Sequence, residues 1–336
     1  MAHEIFNEKF FNRDRKPAWH GLGINLEIDI DAREAFRRVG PYHLHMEPLL
    51  TDTGIPVQER AVVREPVNPE EQPSILGVVG KDYNLIGPEE VCQIWDTAVE
   101  RPVETLGVLK EGRILFVTAR LPQTQVKTDE IQNYMLLSAH MGDGFANEIM
   151  VSSVRTVCMN TLRVARARAS ELMRVDHRSD ARARLHAWLQ GVYSRAVSRV
   201  EMLNEAYNIL ANYQVSQWDV EEVLSHTYPV SEKPGGNLPE SILKDRLASW
   251  EAQSEMALAR RKGAQELFNG RGTGMDTVAA KGSAWGLWNG VVELEDYRNR
   301  RGDGSSAEDA IFGLRADAKA RAFESCLILT GHTLLN

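Results

Sequence analysis

The sequence is poor in the features that mark secreted, membrane-spanning and metal-binding proteins. Its 336 residues contain three cysteines, Cys92, Cys158 and Cys326, which are odd in number, far apart and never spaced as Cys-x-x-Cys. This pattern indicates neither a disulfide framework nor a zinc site. The sequence has no run of about 18 uncharged apolar residues, and its N-terminus has no cationic segment followed by an apolar one. We therefore expect a cytoplasmic protein that enters no membrane.

Motifs of the common enzyme classes are also missing. The sequence has no Gly-x-x-x-x-Gly-Lys-Ser/Thr, no Gly-x-Ser-x-Gly and no His-Glu-x-x-His, which mark phosphate-binding loops, serine hydrolases and zinc proteases. His140 and Asp143 could offer an imidazole and a carboxylate to a metal ion, with Glu148 nearby. A hydrolytic metal site needs several such ligands to converge, and a turn between strands is the commoner structure for this segment. We predict no cofactor, no metal and no catalytic residue.

Positive charge is concentrated in one part of an acidic chain. The formal net charge is −8, yet residues 155–199 contain ten arginines, no lysine and three acids, so this segment carries +7 and the remainder −15. Arginines placed this closely repel one another unless anions lie nearby. The sequence leaves two sources of counter-charge open: acidic side chains of this chain or a neighbouring subunit, or the phosphates of a nucleic acid. The planar arginine fork, which donates two parallel hydrogen bonds, favours phosphates.

Short strands and two helices are predicted for the first half of the chain. Asp31 is a typical N-cap for a helix that ends before Gly40. Pro88, followed by two acids, opens a second helix. Apolar runs bounded by turn residues predict neighbouring antiparallel strands. These runs are residues 42–50, 56–64, 74–81, 103–109, 113–121, 134–140 and 148–157.

The apolar period changes from two residues to about 3.6 from Cys158 onward. Asn160 is a candidate N-cap, and the apolar stripe from Leu162 to Leu172 predicts that the last strand runs directly into a helix with arginines on its other side. A long helix is predicted to begin at Ser179. Its heptad-like stripe fits either a subunit interface or an intramolecular helical core.

The predicted fold class is therefore α+β. We expect an N-terminal antiparallel sheet packed by helices, followed by a mostly α-helical C-terminal region in which Trp285 and Trp288 belong to the core. The predicted boundary lies near Val175. It separates an α+β domain of residues 1–175, which carries the basic strand-to-helix junction, from a helical domain of residues 176–336.

Four segments resemble a known family. They are Gly107-x-x-x-x-Gly-Arg-Ile-Leu-Phe-Val-Thr-Ala-Arg-Leu-Pro122, Ser138-Ala-His-Met-Gly-Asp-Gly144, Arg155-Thr-Val-Cys-Met-Asn-Thr-Leu162 and Ser283-Ala-Trp-Gly-Leu-Trp-Asn-Gly-Val-Val-Glu-Leu-Glu-Asp-Tyr297. In this order they resemble the phage/plasmid-like family catalogued as a domain of unknown function, number 932. In the last segment the family pattern is usually nearer to Tyr-Asn-Ala. The resemblance implies an origin in mobile elements and no particular chemistry.

The order of elements is also similar to the β-β-β-α core of the ring-forming single-strand annealing proteins, of which the eukaryotic Rad-type annealing protein is best known. That resemblance implies a β-β-β-α-like core, an oligomer such as a ring, and contacts with the backbone of single-stranded DNA. The positions that match the groove cations of those proteins are Arg155, Arg163 and Arg166, with Arg168 as a further one. Lys81 and Tyr83, at a strand end, would add a cation and an aromatic ring, and Arg174 and Arg178 are included for their charge alone.

These observations favour a non-catalytic protein that binds and anneals single-stranded DNA in phage or plasmid recombination. We expect it to act as a homo-oligomer through electrostatic backbone contacts. Two alternatives of other classes stay open. One is a metal-dependent DNA-processing nuclease that uses His140, Asp143 and Glu148, and the other is a protein-binding antagonist of host defence whose arginines meet an acidic partner.

Overall fold

A computed structural model describes residues 5–13, 24–25, 28–66, 70–142, 144–155, 160–161, 171–178, 180–235, 239–298 and 314–333. The predicted α+β class is confirmed, with a mainly antiparallel sheet in the N-terminal half and helices in most of the C-terminal half. The strands are β1 (Ile5–Asn12), β2 (Ile24–Asn25), β3 (Leu44–Leu50), β4 (Pro56–Arg64), β5 (Ser74–Val79), β6 (Thr105–Leu109), β7 (Ile114–Val126), β8 (Asp129–His140), β9 (Asn147–Arg155), β10 (Asn160–Thr161) and β11 (Glu171–Val175). The helices are α1 (Ala32–Val39), α2 (Pro88–Val99), α3 (Ala181–Leu189), α4 (Val192–Asn212), α5 (Gln217–Thr227), α6 (Glu240–Glu266), α7 (Ala284–Glu293) and α8 (Leu314–Leu329).

The larger sheet is built around the hairpin of β7 and β8. These two strands pair from Ile114 opposite His140 to Val126 opposite Asp129. The strand order is β10-β9-β8-β7-β6-β1-β2, and β11 also pairs with β9. Because β8 occupies one edge of β9, both β10 and β11 pair with its other edge. The β10 strand pairs with the C-terminal end of β9, and β11 pairs with its N-terminal end.

A smaller antiparallel sheet, in the order β3-β4-β5, lies beside α1 and α2 in sequence. The predicted start of α1 is confirmed, since the Asp31 carboxylate accepts a hydrogen bond from the backbone N–H of Glu34 at 2.7 Å. Gly40 ends this helix with a φ of 90°, a value that glycine adopts without strain. The expected Pro88 start of α2 is also confirmed.

One continuous hydrophobic cluster joins the sheet to the helices. The α4 helix packs against β7 with Ala196, Leu203 and Tyr207 buried. Trp285 and Trp288 of α7 are fully buried in the same cluster, as predicted. The apolar stripe of α4 is therefore covered within the chain, which favours the intramolecular alternative over a subunit interface for this helix.

The prediction of one continuous long helix from Ser179 is wrong. The chain forms two helices, α3 and α4, that are separated at Gln190 and Gly191. Gly191 has a φ of 71°, which lies in the left-handed region and interrupts the right-handed helix.

The predicted helix after Asn160 is also wrong where the structure describes it. Asn160 and Thr161 form β10, and residues from Glu171 to Val175 form β11. Both strands hydrogen-bond to β9, so the free edge of β9 determines their conformation instead of the apolar period of the sequence. Residues 162–170, which carry most of the predicted arginine face, lie outside the described residues.

Among the described residues no helix is long and apolar enough to cross a membrane. Cys92 and Cys326 are free thiols in the core. Burial raises the pKa of both thiols above the ordinary value, which disfavours the reactive thiolate form. The division of the chain near Val175 stays a prediction.

Candidate nucleic-acid interface

A cleft of about 570 Å³ lies where four segments meet. Its walls come from β4, the loop between β5 and α2, the turn between β8 and β9, and the end of β11 with the residues that follow it. The lining residues are Gln58, Glu59, Gly80, Lys81, Asp82, Tyr83, Gly144, Phe145, Ala146, Arg174, Asp176, His177 and Arg178. We call this feature the cleft.

Hydrogen bonds and ring stacking hold these segments together. The Tyr83 ring stacks on the His177 imidazole with 4.5 Å between the ring centroids. The Tyr83 hydroxyl accepts a hydrogen bond from the backbone N–H of Gly142 at 3.0 Å, and the backbone N–H of Asn84 donates to the His177 carbonyl at 2.8 Å. Segments that are far apart in the sequence are therefore held together at the cleft.

Four of the eight predicted DNA-binding residues line the cleft together. They are Lys81, Tyr83, Arg174 and Arg178. Arg155 ends β9, where its backbone pairs with Ile131 and Asn160. The other three, Arg163, Arg166 and Arg168, lie outside the described residues. The two arginines that were included for charge alone thus meet the strand-end pair of Lys81 and Tyr83.

Two cleft arginines already have carboxylate neighbours. Arg178 Nε lies 3.0 Å from Asp176 Oδ2, and Arg174 Nε lies 3.9 Å from Glu148 Oε1. The arginine side chains are 80% and 58% exposed. Both side chains of the Arg178–Asp176 pair are exposed, and such pairs contribute about 0–1 kcal/mol, so a stronger anion can displace Asp176.

Beyond the cleft, the same arginine-rich segment is neutralised in the same way. Arg182 pairs with Glu90 of α2, and its Nη2 donates to the Leu85 carbonyl at 2.9 Å. Arg184 lies 2.8 Å from Asp176. For these described arginines the chain itself supplies the counter-charge. Of the two sources of counter-charge that the sequence left open, acidic side chains of this chain are therefore the one found at these positions.

The cleft carries equal numbers of basic and acidic side chains. Lys81, Arg174 and Arg178 are balanced by Glu59, Asp82 and Asp176. All three basic residues are exposed, so a ligand can reach them from solvent. The described lining has no net charge and so produces little long-range electrostatic field. Close contacts must therefore decide what the cleft binds.

Phe145 lines the cleft and was not singled out from the sequence. It directly follows Gly144 in the sequence and is 50% exposed. Its ring centroid lies 5.6 Å from that of His140. An aromatic residue between a glycine turn and a strand was a visible signal, but its exposure depends on the tertiary structure.

The residues of the alternative metal site do not form a ligand cluster where they are described. His140 is buried, and its Nε2 lies 3.1 Å from the Ser138 hydroxyl. Glu148 lies beside Arg174, and Asp143 lies outside the described residues. In the described part of the chain no group of three histidine, cysteine or acidic residues could hold a metal ion.

Comparison with known proteins gives a family and no function. No curated protein and no solved structure matches the chain significantly. The family model described as a domain of unknown function (DUF932) matches residues 75–322. This match includes α2, the β7–β8 hairpin and most of the cleft, and it covers more than half of the sequence. The chain therefore belongs to the DUF932 family.

Proposed function

We propose that this protein binds single-stranded DNA through the sugar-phosphate backbone, with the cleft as part of the binding surface. The proposal extends to annealing of complementary strands in phage or plasmid recombination by a homo-oligomer. No covalent chemistry is required, since cations that hold phosphates leave base edges free to find their complements.

The observation that carries the proposal is the convergence of Lys81, Tyr83, Arg174 and Arg178 on one cleft. These residues come from two segments about ninety positions apart in the sequence. Two exposed guanidinium groups and an ammonium group beside aromatic rings are the combination that single-strand binding surfaces use.

A DNA phosphate would have to compete with the carboxylates of this chain for the cleft arginines, and the observed ion pairs allow this. The pair between Arg178 and Asp176 is solvent-exposed, and hydrogen bonds from an arginine fork to a phosphate are charge-assisted and bidentate. A phosphate can therefore replace Asp176, with release of counterions from the DNA backbone. Sequence-independent binding with a strong salt dependence is expected.

The test is a salt series of oligo(dT) binding by the wild type and by Arg174→Glu/Arg178→Glu. We expect the variant to bind more weakly, and the slope of log affinity against log salt to fall by about 0.7 for each lost phosphate contact. The matched control is Arg246→Glu/Lys262→Glu, which makes the same charge change on exposed positions of α6, a helix that contributes no residue to the cleft. Circular dichroism must show that both variants are folded.

Two outcomes of this experiment would contradict the proposal. Equal affinities and slopes for the wild type and the cleft variant would exclude the cleft as the DNA site. An equal loss in both variants would mean that the overall charge matters and the cleft does not. Arg163→Glu/Arg166→Glu tests the remaining predicted cations in the same assay.

The finer parts of the proposal need their own measurements. Annealing is measured as the rate at which two complementary labelled strands form a duplex with and without protein. Assembly is measured by light scattering and particle images with and without oligonucleotide. If the protein binds DNA as a monomer and does not accelerate annealing, the binding proposal stands and the annealing proposal is wrong.

A further inference from the structure

The Phe145 side chain is an exposed aromatic group inside a cleft that also holds cations. It is 50% exposed, whereas its neighbour Ala146 is buried. It lines the cleft together with Lys81, Arg174 and Arg178. A large apolar ring that is half exposed inside a cleft is accessible to a ligand.

The other aromatic groups of the cleft are less exposed than Phe145. Tyr83 and His177 stack on each other, and the Tyr83 hydroxyl accepts the hydrogen bond from Gly142. His177 is buried, whereas Phe145 is exposed. Among the described lining residues, Phe145 is therefore the ring best placed to receive a ligand.

The size of the cleft suits a nucleotide. Its volume of about 570 Å³ lies within the range of about 300–1,000 Å³ that is typical of sites for small organic ligands. Arg174 and Arg178 on the same lining are cations for a phosphate, and Phe145 is a planar apolar surface for a base. Both halves of one nucleotide thus have a complementary group in the cleft.

We propose that Phe145 stacks on a base of the bound single strand, while Arg174 and Arg178 hold the adjoining phosphates. This inference rests on the proposed function, which it deepens by naming a base-stacking position. Every base has a π-face, so stacking on Phe145 gives affinity without sequence preference. Stacking uses the face of the base and leaves its pairing edge free, which is compatible with annealing.

The experiment compares an oligo(dT) with an abasic strand of the same length, each bound to wild type, Phe145→Leu and Phe145→Trp at low salt. Stacking is worth about 1–3 kcal/mol per base, so we expect wild type to prefer the intact strand by about tenfold. Phe145→Leu should lose this preference and bind the abasic strand as the wild type does. Phe145→Trp should keep the preference because it retains an aromatic face.

The matched control is Trp218→Leu, which removes an aromatic ring that is 78% exposed on α5 and lies outside the cleft. It should bind both strands as the wild type does. If wild type binds both strands equally, or if Phe145→Leu keeps the preference, the stacking proposal is wrong while the backbone proposal stands. If wild type binds neither strand, both proposals are wrong. Unchanged urea unfolding of Phe145→Leu shows that the fold is intact.

Discussion

The Tyr83 ring lies on the His177 imidazole with an angle of 22° between the two planes, and this stack joins the loop after β5 to the segment after β11. The hydroxyl of the same tyrosine reaches Gly142, in the turn after β8. One side chain thus links the three segments that carry Lys81, Phe145 and Arg178. The shape of the cleft depends on this link.

Tyr83→Phe should therefore destabilise the protein without abolishing its fold. The change removes the acceptor of the Gly142 N–H, which is buried, and a buried donor that loses its partner costs about 1–3 kcal/mol. Tyr83→Phe keeps the ring on His177, whereas Tyr83→Leu also removes the stack. The free energy of unfolding of Tyr83→Leu should therefore be about 0.5–1.5 kcal/mol lower than that of Tyr83→Phe. Urea denaturation measures both changes. Equal stabilities of the two variants would mean that the stack contributes nothing.

The close approach of Gly77 to Gly142 gives a second prediction. A Cβ atom on Gly77 would lie 1.7 Å from the Gly142 carbonyl oxygen. This is a contact with backbone, so no side-chain rotation can relieve it, and Gly77→Ala should lower the free energy of unfolding by about 3 kcal/mol or more. We also expect weaker oligonucleotide binding, because the Gly142 turn carries Phe145.

Gly80→Ala is the matched control for Gly77→Ala. It lies three positions away, at the cleft, and a Cβ atom there meets nothing within 4 Å. We expect its free energy of unfolding to change by less than about 0.5 kcal/mol. If Gly77→Ala is as stable as Gly80→Ala, the two backbones are not in contact as described.

Local signals in the sequence predicted most of the sheet and its first helices. Asp31 and Gly40 identified both ends of α1, and turn residues separated the antiparallel strands. The signal at Gly191 was also local, but the heptad-like stripe on both sides of it favoured a single helix. The helix predicted from Asn160 was wrong because hydrogen bonding to the edge of β9, a tertiary contact, overrides the apolar period of a short segment.

The candidate site could be predicted only in part for the same reason. Lys81 and Tyr83 were identified by their place at a strand end, and Arg174 and Arg178 by charge. The carboxylate neighbours of the arginines and the exposure of Phe145 depend on which loops meet in space. The pairing of Arg182 with Glu90 joins residues that are 92 positions apart, and no local pattern encodes such a contact.

A buried hydrogen bond connects the sheet to the C-terminal helices. Trp285 Nε1 donates to Asp129 Oδ2 at 2.9 Å, and both residues are buried. Trp285→Phe should lower the free energy of unfolding by about 1–3 kcal/mol, because a carboxylate in the core loses a donor. Trp218→Phe, on the exposed surface of α5, is the control and should change it little.

The unfolding curve of the wild type tests the predicted boundary near Val175 at the same time. Because the Asp129–Trp285 bond and the packing of α4 on β7 cross that boundary, we expect one transition by far-ultraviolet circular dichroism and by tryptophan fluorescence. Two separate transitions would instead support two independently stable domains.

The buried thiols give a prediction about chemical reactivity. Burial raises the pKa of Cys92 and Cys326 above the ordinary range, and the neighbouring Asp96 and Glu89 carboxylates raise that of Cys92 further. At any given pH a thiol with a raised pKa holds less thiolate, the form that reacts with iodoacetamide. In the folded protein at mildly alkaline pH we expect both cysteines to stay unmodified, and in urea to react fully, as measured by mass spectrometry of the peptides. Rapid alkylation of Cys92 without denaturant would contradict its burial in the core.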